Sequence, residues 1–148
     1  MPIRRLLLLT LVATLAVAGC ATGPRLREIE ARMPPLPAEQ GRIYFYRKAV
    51  FFGDGLQPAV MLNGEQVGKS VPDGFFFVDR SAGSYVVSTS TEVTRTMSIE
   101  LGRHEEKYVK LAVSMGVFVG HLSPELVERG QALADLRDMH YVGPELSK

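Results

Sequence analysis

The chain has 148 residues, with 17 basic and 16 acidic side chains and a formal net charge of +1. This length suits one domain rather than two, and the balanced charge excludes the basic excess of nucleic-acid-binding proteins, so we predict no nucleic-acid partner. The single cysteine, Cys20, has no second cysteine to pair with, which excludes an internal disulfide.

The first 19 residues have the pattern of an export signal. Arg4 and Arg5 form a basic start, and from Leu6 to Ala18 only two threonines are polar. This run is shorter than the roughly 20 apolar residues that a helix needs to cross a bilayer. Its length instead matches the apolar core of a secretory signal, about 7–15 residues. We therefore assign residues 1–19 to a signal peptide.

Two cleavage patterns meet at the end of this signal. Ala16-Val17-Ala18 is an ordinary small-x-small site and would leave Gly19 as the new N-terminus. Val17-Ala18-Gly19-Cys20 resembles the lipobox of bacterial lipoproteins, in which an apolar residue and two small residues precede the cysteine. The resemblance implies that the Cys20 thiol receives a diacylglycerol, because the thiolate is the nucleophile that accepts the lipid.

We therefore predict that Cys20 is the lipidation site and that the acylated chain has the lipid bilayer as its partner. Ala21, rather than aspartate, follows the cysteine. By the same resemblance this implies transfer to the outer membrane of a bacterial cell envelope, with the protein facing the periplasm.

Residues 20–40 are predicted to form a tether between the anchor and the domain. Arg25 to Arg32 could form one or two helical turns, but Pro34, Pro35 and Pro37 prevent the helix from continuing. A proline-rich segment is extended and semi-rigid. We expect it to hold the folded part off the membrane surface.

Residues 41–142 are predicted to form the folded domain. Short runs of β-branched and aromatic residues alternate there with turn residues, and Asn63-Gly64 is a strong hairpin signal. The pattern predicts about seven or eight strands in an antiparallel sandwich or barrel. The predicted strands lie in "RIYFYR", "PAVMLNGEQVGK", "GFFFVDR", "SYVVSTST", "VTRTMSIEL", "EEKYVKLAVSM" and "GVFVGHL".

The segment "SPELVERGQALADLRDMHYV" is predicted to contain one C-terminal helix. Leu126, Leu133, Leu136 and His140 recur at near-helical spacing, so this stripe would pack on a sheet face. The helix could begin at Ser123-Pro124. A start near Glu128, with "SPELV" as an edge strand, is equally consistent with the sequence. Residues 143–148 are predicted to be a tail.

The stretches "GRIYFYR", "PAVMLNGEQVGKS" and "GFFFVDRSAGSYVVS" resemble a family of bacterial lipoproteins known only as domain of unknown function 2846. The resemblance covers roughly residues 40–140 and implies a lipobox followed by a β-rich domain, with no known catalytic residues. The segments "LNGEQVG" and "DRSAGSYVVS" also resemble surface-layer and prealbumin-like β-sandwich modules. Both resemblances favour a mainly β sandwich with one C-terminal helix.

No motif in the sequence indicates an enzyme. His104, His121 and His140 are scattered, without the spacing of a metal site. No nucleophile elbow or nucleotide-binding loop occurs, and Cys20 is assigned to the lipid. We therefore predict a non-enzymatic protein without a metal or a cofactor.

The loop "AVFFGDGLQP" supplies the candidate interaction residues, Phe51 and Phe52. These side chains could fold back onto the core, or they could be exposed and dock a partner protein or the membrane interface. Phe75, Phe76 and Phe77 raise a similar question, since neighbours in a strand point to opposite faces.

Three functions are compatible with the sequence. The first is an anchored envelope lipoprotein that acts as a structural or accessory module, with an envelope protein as a possible partner. The second is a lipoprotein that binds a small ligand or peptide between its helix and its sheet, in a pocket lined by the Phe75–Phe77 strand. The third is an envelope hydrolase, which requires His104 or His121 to meet a serine and a carboxylate.

Overall fold

The computed structural model describes residues 20–118 and 120–146, and the predicted signal peptide, residues 1–19, lies outside them. Within the described residues, no helix is long and apolar enough to cross a membrane. The helices are α1 (Leu26–Ile29), a 3-10 turn (Glu30–Arg32) and α2 (Arg129–Leu136). The strands are β1 (Gln40–Arg47), β2 (Ala59–Leu62), β3 (Glu65–Lys69), β4 (Gly74–Ser81), β5 (Gly83–Ser90), β6 (Thr94–Leu101), β7 (Glu106–Ser114), β8 (His121–Val127) and β9 (His140–Tyr141).

The strands form two sheets, which confirms the predicted mainly β sandwich. One sheet has five strands in the order β8-β7-β1-β4-β9, and the other has four in the order β3-β2-β5-β6. The predicted hairpin at Asn63-Gly64 joins β2 to β3, and both residues have the positive φ that this turn requires. The described chain contains nine strands rather than seven or eight. The additional strand, β9, was not predicted, because it is only two residues long.

Two strand pairings are parallel, although the sequence predicted an antiparallel arrangement. β1 pairs with β7 over Arg42–Tyr46, and β4 pairs with β9. Since β1 and β7 run in the same direction, the loops that follow them lie at the same end of the sandwich. β4 begins at this end as well, because it is antiparallel to β1.

The central strands carry the aromatic core. Phe45 stacks on Phe76 with ring centroids 5.1 Å apart, and Phe75 meets Tyr141 edge-on at 5.6 Å. Phe75, Phe76 and Phe77 are all buried, so the predicted pocket along this strand is filled by their own rings. The described grooves of the protein lie elsewhere.

The C-terminal segment follows the second of the two predicted alternatives. "SPELV" belongs to the edge strand β8, and α2 begins after Glu128 and ends at Leu136. The predicted leucine stripe holds only for Leu136. The helix buries Ala132 and Leu136, whereas Leu133 is exposed. The helix is too short to continue to His140, which lies in β9.

Part of the predicted strand "GVFVGHL" is a loop, since β8 begins only at His121. Residues 115–118 are exposed apart from Gly116, which is half-buried. Alternation of apolar residues indicates a strand only where a neighbouring strand pairs with it, and at this position the chain has passed the end of β7.

The predicted tether packs against the domain over residues 21–34, which corrects the expectation of a free spacer. Ile29 is fully buried in the core. The Tyr141 amide donates to the Pro24 carbonyl oxygen at 2.7 Å, and the Arg42 guanidinium donates to that of Pro34 at 2.8 Å. Burial of Ile29 and these hydrogen bonds hold the segment along the outer face of the five-stranded sheet.

Candidate functional site

Cys20, the predicted lipidation site, is exposed and lies at one end of the sandwich. The next residue, Ala21, is buried, and its amide donates to the Pro72 carbonyl oxygen at 3.0 Å, just before β4. The neighbouring Asp73 carboxylate accepts a hydrogen bond of 2.8 Å from the Ala49 amide, just after β1. Two hydrogen bonds thus connect the start of the described chain with the β1–β2 loop. We call this end of the molecule the Cys20 end.

Two loops at the Cys20 end expose large apolar side chains. The β1–β2 loop exposes Phe51 completely and Phe52 to a smaller extent. The β7–β8 loop exposes three more side chains, with Phe118 at 91%. A groove of about 520 Å³ lies between the two loops. We call the five side chains the apolar tip; they are Phe51, Phe52, Met115, Val117 and Phe118.

The sequence singled out Phe51 and Phe52 but missed the other three residues of the apolar tip. Of the two possibilities left open for the phenylalanines, the structure shows the exposed one. The β7–β8 loop joins them only because β1 and β7 pair in parallel. The one local signal was Met115-Gly116, where a glycine directly follows the predicted strand "EEKYVKLAVSM".

A fully buried arginine holds the β1–β2 loop in place. The Arg47 guanidinium donates hydrogen bonds to the carbonyl oxygens of Gly53, Leu56 and Ser70. Burial lowers the pKa of Arg47, and the nearby Asp54 carboxylate acts in the opposite direction. Because a buried cation is costly unless it is bonded, this arginine fixes the loop backbone while the phenylalanines stay outside.

The β7–β8 loop is held in a similar way by a carboxylate. Glu92, in the β5–β6 turn, accepts hydrogen bonds from the Phe118 amide at 2.5 Å and the Val117 amide at 3.3 Å. Its carboxylate also lies 3.8 Å from His121 Nε2. Charged groups beneath the loops thus bind backbone atoms, and the apolar side chains point outward.

The two histidines that the sequence named for a hydrolase lie at opposite ends of the sandwich. His121 Nδ1 lies 3.5 Å from the Thr91 hydroxyl. His104 is exposed in the β6–β7 turn. Across residues 20–118 and 120–146, no group of three or more His, Cys, Asp or Glu side chains is placed to hold a metal ion.

A second groove, of about 780 Å³, lies on the outer face of the five-stranded sheet, toward the opposite end. Its floor includes Tyr44 and Tyr108, whose rings stack with centroids 5.0 Å apart. One wall is the N-terminal segment with Met33 to Leu36, and the other is α2. We call it the tyrosine groove.

Polar groups surround these two tyrosines. Arg42 forms a two-pronged ion pair with Asp79, with distances of 2.7 and 2.8 Å, and covers the Phe77 ring. Burial alone would lower the pKa of Arg42, but hydrogen bonds to Asp79 and Tyr44 raise it. Burial also raises the pKa of Tyr44. The groove therefore presents neutral phenols beside the Arg42–Asp79 ion pair.

A family model described as "Protein of unknown function (DUF2846)" matches residues 37–122. The chain is also similar to an uncharacterized protein of Haemophilus influenzae, at 28% identity over 118 residues, which cover 76% of this chain and 70% of that protein. No solved structure matches the chain at a significant level. The matched family segment contains Arg47 and both loops of the apolar tip, and it spans more than half of the chain, so the chain belongs to the DUF2846 family.

Proposed function

We propose that this protein is a lipid-anchored lipoprotein of the bacterial envelope, attached to the outer membrane through an acylated Cys20 and facing the periplasm. The observation that carries the proposal is the pattern Val17-Ala18-Gly19-Cys20 directly behind an apolar signal core. The exposure of Cys20 supports it, because the thiol has to be accessible to accept a diacylglycerol.

We propose further that the anchored domain is a non-enzymatic structural or accessory module. Its polar side chains form pairs that hold the fold: Arg42 with Asp79, Arg47 with loop carbonyls and Glu92 with loop amides. Of the histidines predicted for a hydrolase, His121 lies beside the Glu92 carboxylate that holds the β7–β8 loop. His104 is exposed in the β6–β7 turn at the opposite end. The exposed features available to another molecule are therefore the apolar tip and the tyrosine groove.

The intact mass of the protein extracted from membranes tests the anchor. We expect a chain that begins at Cys20 and carries the mass of its acyl groups. The matched control is Cys20→Ser, which keeps size and polarity but removes the nucleophile, and we expect it to lack the acyl mass. An unmodified chain that begins at Gly19 would instead establish ordinary signal cleavage and contradict the proposal.

The tyrosine groove favours a second candidate function, the binding of a small ligand or a peptide. Stacked aromatic rings and neighbouring proline side chains provide flat apolar contacts, while Arg129, Glu105 and Glu106 line the rim. Ligand sites combine such apolar surface with a few polar groups. The groove is open to solvent and does not reach the Phe75–Phe77 strand, so a ligand would lie on the sheet and not inside the sandwich.

Native mass spectrometry of the protein purified from membranes tests this candidate. Leu133→Arg would fill the groove from α2, and Leu126→Arg places the same side chain on the edge strand, outside the groove. We expect a bound ligand to be lost from the first variant and kept by the second. A wild-type protein that carries no ligand, or one that both variants keep, would remove the groove from consideration.

A further inference from the structure

Cys20 is joined to the folded domain without a spacer. Cys20 is exposed, but Ala21 is buried and hydrogen-bonded to Pro72. Gly23 lies so close to the Tyr141 backbone that a Cβ atom there would collide with it. Acyl chains on the Cys20 thiol would start within one residue of the folded domain. The Cys20 end would therefore have to lie at the lipid surface itself.

The surface at this end is the most apolar one that the described chain exposes. Nine large apolar side chains are exposed in residues 20–118 and 120–146, and six of them lie in the loops of the Cys20 end. These six are the apolar tip and Val93. Such clustering on loops with a fixed backbone marks an interaction surface, since scattered exposed apolar residues are ordinary.

The charges beside the apolar tip fit a phospholipid surface. The carboxylates of Glu92 and Asp73 are bound to backbone amides of the loops. Lys69, at the end of β3, and Arg95, at the start of β6, are exposed at the same end. Basic side chains around an apolar insertion suit anionic headgroups.

We propose that the apolar tip is a membrane-docking surface. Phe51, Phe118 and their neighbours lie in the boundary between headgroups and acyl chains, and Lys69 and Arg95 face the headgroups. The orientation of the domain rests on the proposed lipid anchor, whereas the contact of the tip with lipid can be measured independently of it. The consequence is a sandwich that stands upright on the bilayer and presents the tyrosine groove away from the membrane.

The absence of tryptophan from the chain allows a direct test. Phe118→Trp places a single tryptophan in the apolar tip. The matched control is Leu126→Trp, also exposed, about 17 Å along β8 from the Cys20 end. Each full-length variant is purified from membranes and reconstituted into vesicles of phosphatidylethanolamine and phosphatidylglycerol, with and without bromine on the acyl chains. The acylation of each sample is established by its intact mass.

We expect bromine to quench the tryptophan emission of the Phe118→Trp variant by about half, because an interfacial side chain reaches the acyl boundary, and to leave the Leu126→Trp control unchanged. An acylated protein in which both variants are quenched equally, or neither is, would overturn the docking proposal and leave the anchor intact. A protein partner on the tip would give that result in these protein-free vesicles. Selective quenching in a chain without acyl groups would support the docking surface and contradict the anchor. If neither the acyl mass nor selective quenching is found, both proposals are overturned.

Discussion

The two ends of the sandwich differ in the way their loops are built. At the Cys20 end, long loops expose phenylalanine, methionine and valine, and buried charged groups such as Arg47 hold their backbones. At the opposite end, tight turns expose charged residues, among them Glu65, Arg103 and Glu105. The salt bridges that these three residues form lie at the surface, where such pairs contribute about 0–1 kcal/mol.

This difference supports the proposal that the Cys20 end contacts a non-aqueous neighbour. Apolar side chains on a disordered loop would collapse onto the protein and bury themselves. Here the backbone is fixed from below by Arg47 and Glu92, so the side chains remain exposed. The exposed charged side chains of the opposite end are solvated by water, although the largely buried Arg42–Asp79 pair also lies toward that end.

The largest effect that distinguishes the two ends is expected from Arg47→Met. This substitution leaves the carbonyl groups of two loops without donors, and we expect it to lower the free energy of unfolding by about 4 kcal/mol. The matched control at the opposite end is Arg103→Met, which removes an exposed pair with Glu39. We expect it to change stability by less than about 0.5 kcal/mol. Urea unfolding of both variants measures the difference, and equal losses would contradict the contrast between the ends.

Ile29→Ala tests whether the N-terminal segment is packed against the domain. Ile29 is fully buried in the core, so we expect a loss of about 3 kcal/mol from the transfer of the side chain and the cavity that remains. Ala31→Ser, on an exposed position of the same segment, serves as the control and should be close to neutral. A neutral Ile29→Ala would show that the segment is a loose tether after all.

Two carboxylates, Asp135 and Glu105, allow the pH dependence of stability to be compared between the two ends. Asp135 accepts hydrogen bonds from Lys48 and Tyr46 near the Cys20 end, and these hydrogen bonds outweigh the effect of burial and lower its pKa. Glu105, at the opposite end, has its pKa lowered by Lys107 and the Gly102 amide. A lowered pKa in the folded state means that the stabilisation is present above the unfolded pKa of about 4 and is lost as the pH falls through the folded one.

We therefore expect Asp135→Asn to cost about 1 kcal/mol at neutral pH and to flatten the loss of stability below about pH 4. Glu105→Gln should have a smaller effect, because its side chain is more exposed to solvent. Thermal unfolding from neutral to acidic pH measures both variants. A larger acid effect from Glu105 would reverse the comparison.

The smallest effect on stability is expected from the double substitution Phe51→Ser and Phe118→Ser. Both side chains are almost fully exposed, so we expect the free energy of unfolding to change by less than about 0.5 kcal/mol. Urea unfolding checks this value. A loss as large as that of Ile29→Ala would show that these rings pack in the folded protein and are not free to contact a bilayer.

The features that local sequence determines were predictable, whereas those that depend on distant pairing were not. The hairpin at Asn63-Gly64 and the strands that flank it follow from turn chemistry and alternation. The parallel pairing of β1 with β7 joins residues about sixty positions apart, and no local pattern specifies it. The missed half of the apolar tip depends on that pairing.

The packing of the N-terminal segment was missed for a related reason. Its prolines indicated a spacer, but prolines also suit an extended segment that lies along a sheet. The burial of Ile29 depends on a surface that the rest of the fold creates. A single apolar residue between Glu28 and Glu30 gives no pattern from which this surface could be inferred.

Trypsin treatment of the protein on intact vesicles tests most directly whether Cys20, the proposed lipidation site, is held against the domain. Arg25, Arg27 and Arg32 lie between Cys20 and β1, and a free tether would be cut there within minutes, since exposed flexible segments are the preferred sites of proteolysis. A packed segment is cut only after local unfolding. We expect the folded domain to sediment with the vesicles. Rapid release of an intact domain that begins at Leu26, Glu28 or Met33 would contradict the account.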